Sequence, residues 1–230
     1  MPPAERLMTY REAAGLLGAY GIPLANARVV QHPAEAALAA QEIGFPVALK
    51  ALSPDFSHKS DAGLVHLNLA TAARVTEVAQ TLLNRTANQA QEGLLVQAMV
   101  AGGTEIIVGL TTDPQFGPVI AAGSGGVLVE LLDDVVLRLP PLSRSQASAM
   151  IREMRAYRLL QGYRHHPPAD VPALAELLVN VSRLAVEQAG HLVSLDLNPV
   201  IVLPAGQGVR VVDVRAVTLR PALVSEKGTA

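Results

Sequence analysis

Helical and strand-like segments alternate along the whole chain, and in its second half the strands come as hairpin-like runs. That order constrains the fold more than any other feature. Thr9-Tyr-Arg-Glu12 has capping-box spacing, and Gly21 closes the helix it opens. His32-Pro33 starts a second helix, with Pro33 suited to its first turn, and Gly44 ends it. Residues 45–52 form a continuous apolar run that reads as a buried strand, followed by a strand over 63–69 and a helix from Thr71 to about Arg85. Residues 86–93 are a polar loop. Strands are expected over 94–100, 104–111 and 116–122, with turns at Gly102-Gly103 and Asp113-Pro114. Ser143-Arg-Ser-Gln146 is a second capping box, opening a helix to about Tyr157. Asp170 caps a long helix to about Gln188. Strands follow near 191–197, 200–203 and 209–214, with Asn198-Pro199 read as a turn between the first two. This mixture predicts an α/β or α+β chain of two lobes and argues against one doubly wound sheet. The boundary is set at 93/94, with an N-terminal lobe and leading helix over 1–93 and a C-terminal lobe over 94–230.

Half of the 230 residues are hydrophobic, but only 3% are aromatic, so the core must be built from Ala, Val, Leu and Ile. A net charge of −2 gives no electrostatic case for binding nucleic acid. With no cysteine, disulfides, zinc-thiolate sites and thiol catalysis are excluded. The N-terminus lacks a basic start followed by an apolar core, and the apolar runs fall short of the roughly 18–20 residues that span a bilayer. A cytoplasmic protein without membrane contact is therefore expected.

The cations are distributed unevenly. Fifteen are arginine; of the three lysines, Lys50 and Lys59 lie nine residues apart and Lys227 is in the C-terminal tail. Lysine is a compact charge that reaches a phosphate without arginine's planar fork. Lys50 ends an apolar strand, where a cation is costly to bury without a partner. It either snorkels to water or faces the phosphates of a nucleotide. Neither a P-loop nor a G-x-G-x-x-G follows a strand, so a nucleotide site here uses another architecture. His58-Lys59-Ser60-Asp61 reads either as a solvated loop or as a reactive imidazole, with Lys59 near a phosphoryl group and Asp61 orienting the ring. Asp196 and Asn198 are two apart and share one strand face, and Asp213 and Arg215 do the same on the next strand. Hard oxygens on paired strands suit Mg²⁺, although a plain polar strand edge has the same pattern. Glu105 and Gly123-Ser-Gly-Gly126 each have a bland reading, as a strand end and a sharp bend, beside a phosphate-binding one.

Together, these segments resemble the β subunit, or ATP-grasp region, of ADP-forming acetate–CoA and other acyl-CoA synthetases, which is related to the succinyl-CoA synthetase β chain. The likeness runs through Gly21-Ile-Pro23, residues 44–50, 53–63, Leu95-Val-Gln97, 105–118, 123–130, 159–164 and Leu195-Asp-Leu-Asn-Pro199. It implies an ATP-grasp fold with ATP or ADP between two lobes. Lys50 would meet the α/β-phosphates. Gln97, Ala98 and Met99 would line the adenine-side hinge, with Glu105, Gly125 and Gly126 also at the nucleotide. Asn198 and Asp213 would hold Mg²⁺. His58 would carry a phosphoryl group to ADP, supported by Lys59 and Asp61. The resemblance also implies an α subunit that binds CoA and performs the acyl chemistry, in a heterotetramer. Two positions depart from the family: Ala98 stands where glutamate is usual, and Leu64 where glycine is common. Ala98 leaves ADP against GDP open.

The implied activity is reversible conversion of acyl-CoA, ADP and phosphate to carboxylate, CoA and ATP. Two other readings stand beside it. One is a non-catalytic or regulatory nucleotide-binding module. The other is a stand-alone ATP-dependent carboxylate ligase, which would leave His58 without a task.

Overall fold

The computed structural model describes residues 4–53, 63–87, 92–125, 134–162 and 167–219. The elements begin with β1 (Glu5–Leu7), α1 (Tyr10–Ala19), β2 (Ala27–Val30), α2 (Pro33–Ile43), β3 (Val47–Leu52), β4 (Val65–Leu69), α3 (Ala72–Arg85) and β5 (Gly93–Ala98). They continue through β6 (Thr104–Asp113), β7 (Gly117–Ser124), β8 (Val135–Arg138), α4 (Arg144–Glu153), α5 (Tyr157–Leu160), α6 (Val171–Glu187), β9 (Leu192–Val202), β10 (Val209–Val211) and β11 (Val214–Leu219).

Two antiparallel sheets organise these elements. The smaller has the order β2-β5-β3-β4. The larger has the order β1-β11-β9-β6-β7-β8, with β10 added beside β9. The smaller sheet buries Val47, Leu49, Ala51, Leu94 and Val96 against Ala36, Ala39 and Ala40 of α2 and Val75, Val78, Ala79 and Leu82 of α3. Its other face carries Ala48, Lys50, Leu52, Leu95 and Gln97, all buried as well but outside that core. Alternation along β3 and β5 thus gives this sheet two buried faces. The larger sheet is packed by α1, α4 and α6 through an aliphatic core that includes Leu17, Met150, Leu174, Leu178, Leu184, Leu195 and Leu197. Among the described residues no helix is long and apolar enough to cross a membrane.

The division expected at 93/94 falls inside β5, whereas the sheets divide the chain differently. All four strands of the smaller sheet lie within 27–98. The leading segment belongs to the larger sheet: β1 pairs β11, and α1 buries Ala13 and Leu17 in the larger core. The two connections between the sheets run side by side. Ala25 N–H donates to the Val211 carbonyl (2.8 Å) and Ala98 N–H to the Asn26 carbonyl (2.8 Å).

Local signals place most elements. Thr9 and Glu12 form the capping box of α1, and Ser143 and Gln146 that of α4. Gly44 ends α2. Two expectations are corrected. Asn198-Pro199 is not a turn: β9 runs unbroken through it, with Leu197 opposite Val108 and Val214, and Val200 opposite Ile106 and Val211. An irregularity in the β6 pairing between Ile106 and Val108 accommodates the proline. The second capping-box helix stops at Glu153. Backbone N–H groups of Arg155 (2.7 Å) and Ala156 (3.0 Å) donate instead to the buried Asp134 carboxylate, so α5 starts as a separate turn.

The α1 capping box extends to an ion pair. Both Glu12 oxygens accept from the Arg6 guanidinium at 2.8 Å, and the Thr9 N–H donates to Oε2 at 2.8 Å. The Arg6 hydrogen bond, then that of the Thr9 backbone, lowers the Glu12 pKa from 4.5 to about 2. A carboxyl depressed in the folded state stabilises above its unfolded pKa and loses that contribution as pH falls toward the folded value. Glu12→Ala is therefore expected to lower the melting midpoint by roughly 2–4 °C at pH 7, the scale of about 1 kcal/mol for an exposed cap. The difference from wild type should shrink between pH 4.5 and 2, as thermal melts at the two ends of that range would read.

Candidate functional site

Lys50 is the anchor of the site. It lies in a strand whose six residues are all buried, and it is itself 5% exposed. A charged head there requires partners. Its ammonium donates to the Val212 carbonyl of the larger sheet at 3.2 Å and lies 3.9 Å from Asp213 Oδ2. Val212 and Asp213 sit in the two-residue link between β10 and β11. The link is held in place because Val212 N–H donates to the Pro199 carbonyl (2.9 Å) and Asn198 N–H to the Asp213 carbonyl (3.2 Å). One lysine of the smaller sheet thus bridges to a backbone corner of the larger one.

Oxygen donors gather around that corner. Along β9, Leu195 and Leu197 are buried while Asp196 and Asn198 face outward, so the shared face expected for these two residues is present. Arg215 is directly opposite Asp196 on β11. Asp213 is in the link before β11, and its Oδ1 accepts the Val214 N–H at 3.0 Å. Burial, then the Asp213 charge, pushes the Asp196 carboxyl above its ordinary pKa, with Arg215 acting the other way. Tyr10 at the start of α1 is a member of this group that the sequence did not reveal. Burial, then Asp213, raises its phenol pKa. Its backbone N–H donates to Glu92 Oε2 at 2.8 Å, tying α1 to the root of β5. Nothing local in sequence joins residues 10, 92 and 213; only the return of β11 beside β1 and β9 does.

At the end of β5, Gln97 is fully buried, and its amide Nε2 donates to the Val212 carbonyl at 2.9 Å. Ala98 and Met99 are half-buried, and the Met99 N–H donates to the Pro46 carbonyl at 3.3 Å. Glu105 is exposed on β6, opposite Ile201 of β9, and its carbonyl accepts the Gly125 N–H at 2.9 Å. Gly125 has no room for a side chain there, since a Cβ would lie 2.7 Å from the Glu105 carbonyl carbon and 2.8 Å from its oxygen. The glycine is a packing requirement at this crossing. The structure thus brings Lys50, Gln97 and Asp213 together and places Asn198 against the Asp213 backbone, while Glu105 and Gly125 form a second contact along β6. His58, Lys59, Asp61 and Gly126 lie outside the described residues. Among the described residues no group of three or more His, Cys, Asp or Glu side chains forms a ready metal cluster.

The model of the ATP-grasp domain matches residues 3–218. The chain is 38% identical over 214 residues to the acetate–CoA ligase [ADP-forming] II subunit beta of Pyrococcus furiosus, with 91% of each sequence covered. The chain belongs to the ATP-grasp family of ADP-forming acetate–CoA ligase β subunits. It is also 44% identical over 209 residues to the acetate–CoA ligase [ADP-forming] I of Archaeoglobus fulgidus. That alignment takes in 90% of this chain but only 30% of the longer relative. A structure of the Ca. Korarchaeum cryptofilum dinucleotide-forming acetyl-coenzyme A synthetase 1, in complex with coenzyme A, Ca-AMPCP and HgCl+, superposes with a TM-score of 0.87 at 41% identity, over 94% of both chains. A second structure of that synthetase holds coenzyme A and Mg-AMPPCP, with its phosphohistidine segment pointing towards the nucleotide binding site; it matches with a TM-score of 0.80 at 40% identity, over 94% of this chain and 93% of that one. As an ATP-grasp domain, the chain binds nucleotide.

Gly125→Ala is expected to force the β6–β7 crossing apart. The cost is on the order of 2 kcal/mol or more, as for other substitutions that drive a Cβ into backbone. Thermal melts should show a midpoint lowered by several degrees, together with weakened nucleotide binding.

Proposed function

We propose that this chain is the nucleotide-binding subunit of an ADP-forming acyl-CoA synthetase and works with an α partner that binds CoA and makes the acyl phosphate. The observation that carries this reading is the Lys50 ammonium, buried in the smaller sheet yet aimed at the Val212–Asp213 corner of the larger one. That arrangement gives a diphosphate a cation on one side and hard oxygen donors on the other. The two parts of the chain, 27–98 and the remainder, are the two lobes around it, the leading segment 4–25 going with the larger. That similar proteins are named as β subunits supports a partner subunit for the acyl chemistry.

The donor set fits magnesium. Asn198 and Asp213 supply neutral and anionic oxygens, and Asp196 lies two residues from Asn198 on the same strand face. Magnesium held there would neutralise charge on the transferring phosphoryl group.

The reaction divides into steps. On the partner, phosphate attacks acyl-CoA and CoA leaves, which gives an acyl phosphate. An imidazole nitrogen of His58 then attacks its phosphorus: a P–N bond forms, the bond to the acyl oxygen breaks, and the carboxylate departs. A β-phosphate oxygen of ADP next attacks the same phosphorus. The P–N bond breaks, ATP forms, and the imidazole is restored. Lys59 holds the phosphoryl oxygens and Asp61 orients the ring. Lys50 binds the nucleotide phosphates and offsets charge on the transferring group. A cytoplasmic heterotetramer is the setting this reading implies.

The test is reconstitution with the α partner, acetyl-CoA, ADP and phosphate. Wild type should make ATP and carry acid-labile phosphate on His58. His58→Asn should lose both, with the rate falling at least about a thousandfold. Undiminished ATP synthesis by that variant rejects the relay. Asp213→Asn should weaken Mg-ADP binding by about 10- to 100-fold and metal-free ADP binding far less, as calorimetric titration would show.

A further inference from the structure

Gln97 is the one described site residue whose side chain is fully enclosed and only half satisfied. Its Nε2 donates to the Val212 carbonyl, while its Oε1 is buried without a hydrogen-bond partner. Leaving a buried acceptor without a partner is costly, so a glutamine here needs a reason beyond packing. The same carbonyl accepts the Lys50 ammonium. A carbonyl oxygen has two lone pairs, and these two donors use both.

The β-sheet register explains why the heads meet. Ala48 is opposite Gln97 and Lys50 opposite Leu95, so Lys50 and Gln97 are diagonal neighbours on one face. That face is the one turned from α2 and α3 toward the larger sheet. The amide is uncharged, so it fixes the carbonyl beside the ammonium without adding a counter-charge. Among the described residues, charged and titratable groups near the lysine head include Asp213 and, around it, Asp196, Arg215 and Tyr10.

We infer that Gln97 is a positioning residue for Lys50: it pins the Val212 carbonyl on which the ammonium rests and stays neutral, so that the lysine's charge is directed to the nucleotide phosphates. In this role Gln97 acts through Lys50. This inference rests on the nucleotide-binding reading of the site.

Two neutral-versus-charged variants test it. Gln97→Met removes the hydrogen bond and keeps neutrality; Gln97→Glu has nearly the same shape but sets a carboxylate beside the ammonium. With the full chain and Mg-ADP in a calorimeter, Gln97→Met should raise Kd roughly threefold and Gln97→Glu more than about tenfold. A purely structural role predicts losses that follow the melting midpoint and do not depend on charge. Equal losses in the two variants, or none in either, overturn the inference and leave nucleotide binding intact. A second readout does not depend on nucleotide. With three lysines in the chain, ¹⁵N-lysine labelling gives three ammonium signals, and only that of Lys50 should shift in the two variants. If wild type binds no Mg-ADP, the nucleotide reading fails and this signal decides alone: a shift sustains the placement of Gln97, and an unmoved Lys50 signal rejects it. Should Gln97→Glu not fold, the same signal in Gln97→Met decides in the same way.

Discussion

One backbone oxygen joins the two halves of the molecule at the point where chemistry is expected. The Val212 carbonyl takes an ammonium from β3 and an amide from β5, and both donors are buried. In a low-dielectric setting a charge-assisted hydrogen bond of this kind is stronger than its neutral counterpart, and leaving either member unpaired is costly. The larger sheet presents a corner that helps to make the burial of Lys50 tolerable. The corner is presented only because Val212 and Asp213 are clasped to Pro199 and Asn198 on β9. Sheet register, backbone pairing and charge placement depend on one another here.

The acidic side of the corner carries a complementary tension. Asp213 raises both the Asp196 carboxyl and the Tyr10 phenol, in each case after burial. Among the described residues, carboxylates are thus gathered on one flank and the Lys50 ammonium stands on the other. Such a polarised cleft suits a ligand that brings phosphate oxygens together with a divalent cation, and it suits a neutral organic ligand poorly.

Much of this was legible in the sequence where the signal is local. Both capping boxes, the glycine stop of α2, and the alternation of Leu195, Asp196, Leu197 and Asn198 follow from spacing within a few residues. Lys50 was legible because a cation at the end of an apolar run conflicts with its neighbours. Nonlocal relations were not legible. The edge strands β1 and β2 are three and four residues long and carry too little pattern to be seen alone. Asn-Pro was misread as a turn because proline's lost N–H usually ends a strand, whereas here an irregular step in the neighbouring pairing absorbs it. The roles of Tyr10 and Glu92 emerge only when α1 is found with the larger sheet, and Gln97 facing Val212 is visible only once β10 and β11 are placed.

The route of the chain has a mechanical consequence. The smaller sheet is inserted between residue 25 and residue 104 of the larger body, and its entry and exit are bonded to each other through Asn26 and Ala98. A body suspended from two adjacent backbone crossings can rock about the line that joins them but resists twisting and sliding. The two ends of the inserted body therefore stay together at one place on the larger one, so its attachment is concentrated there rather than spread along an edge.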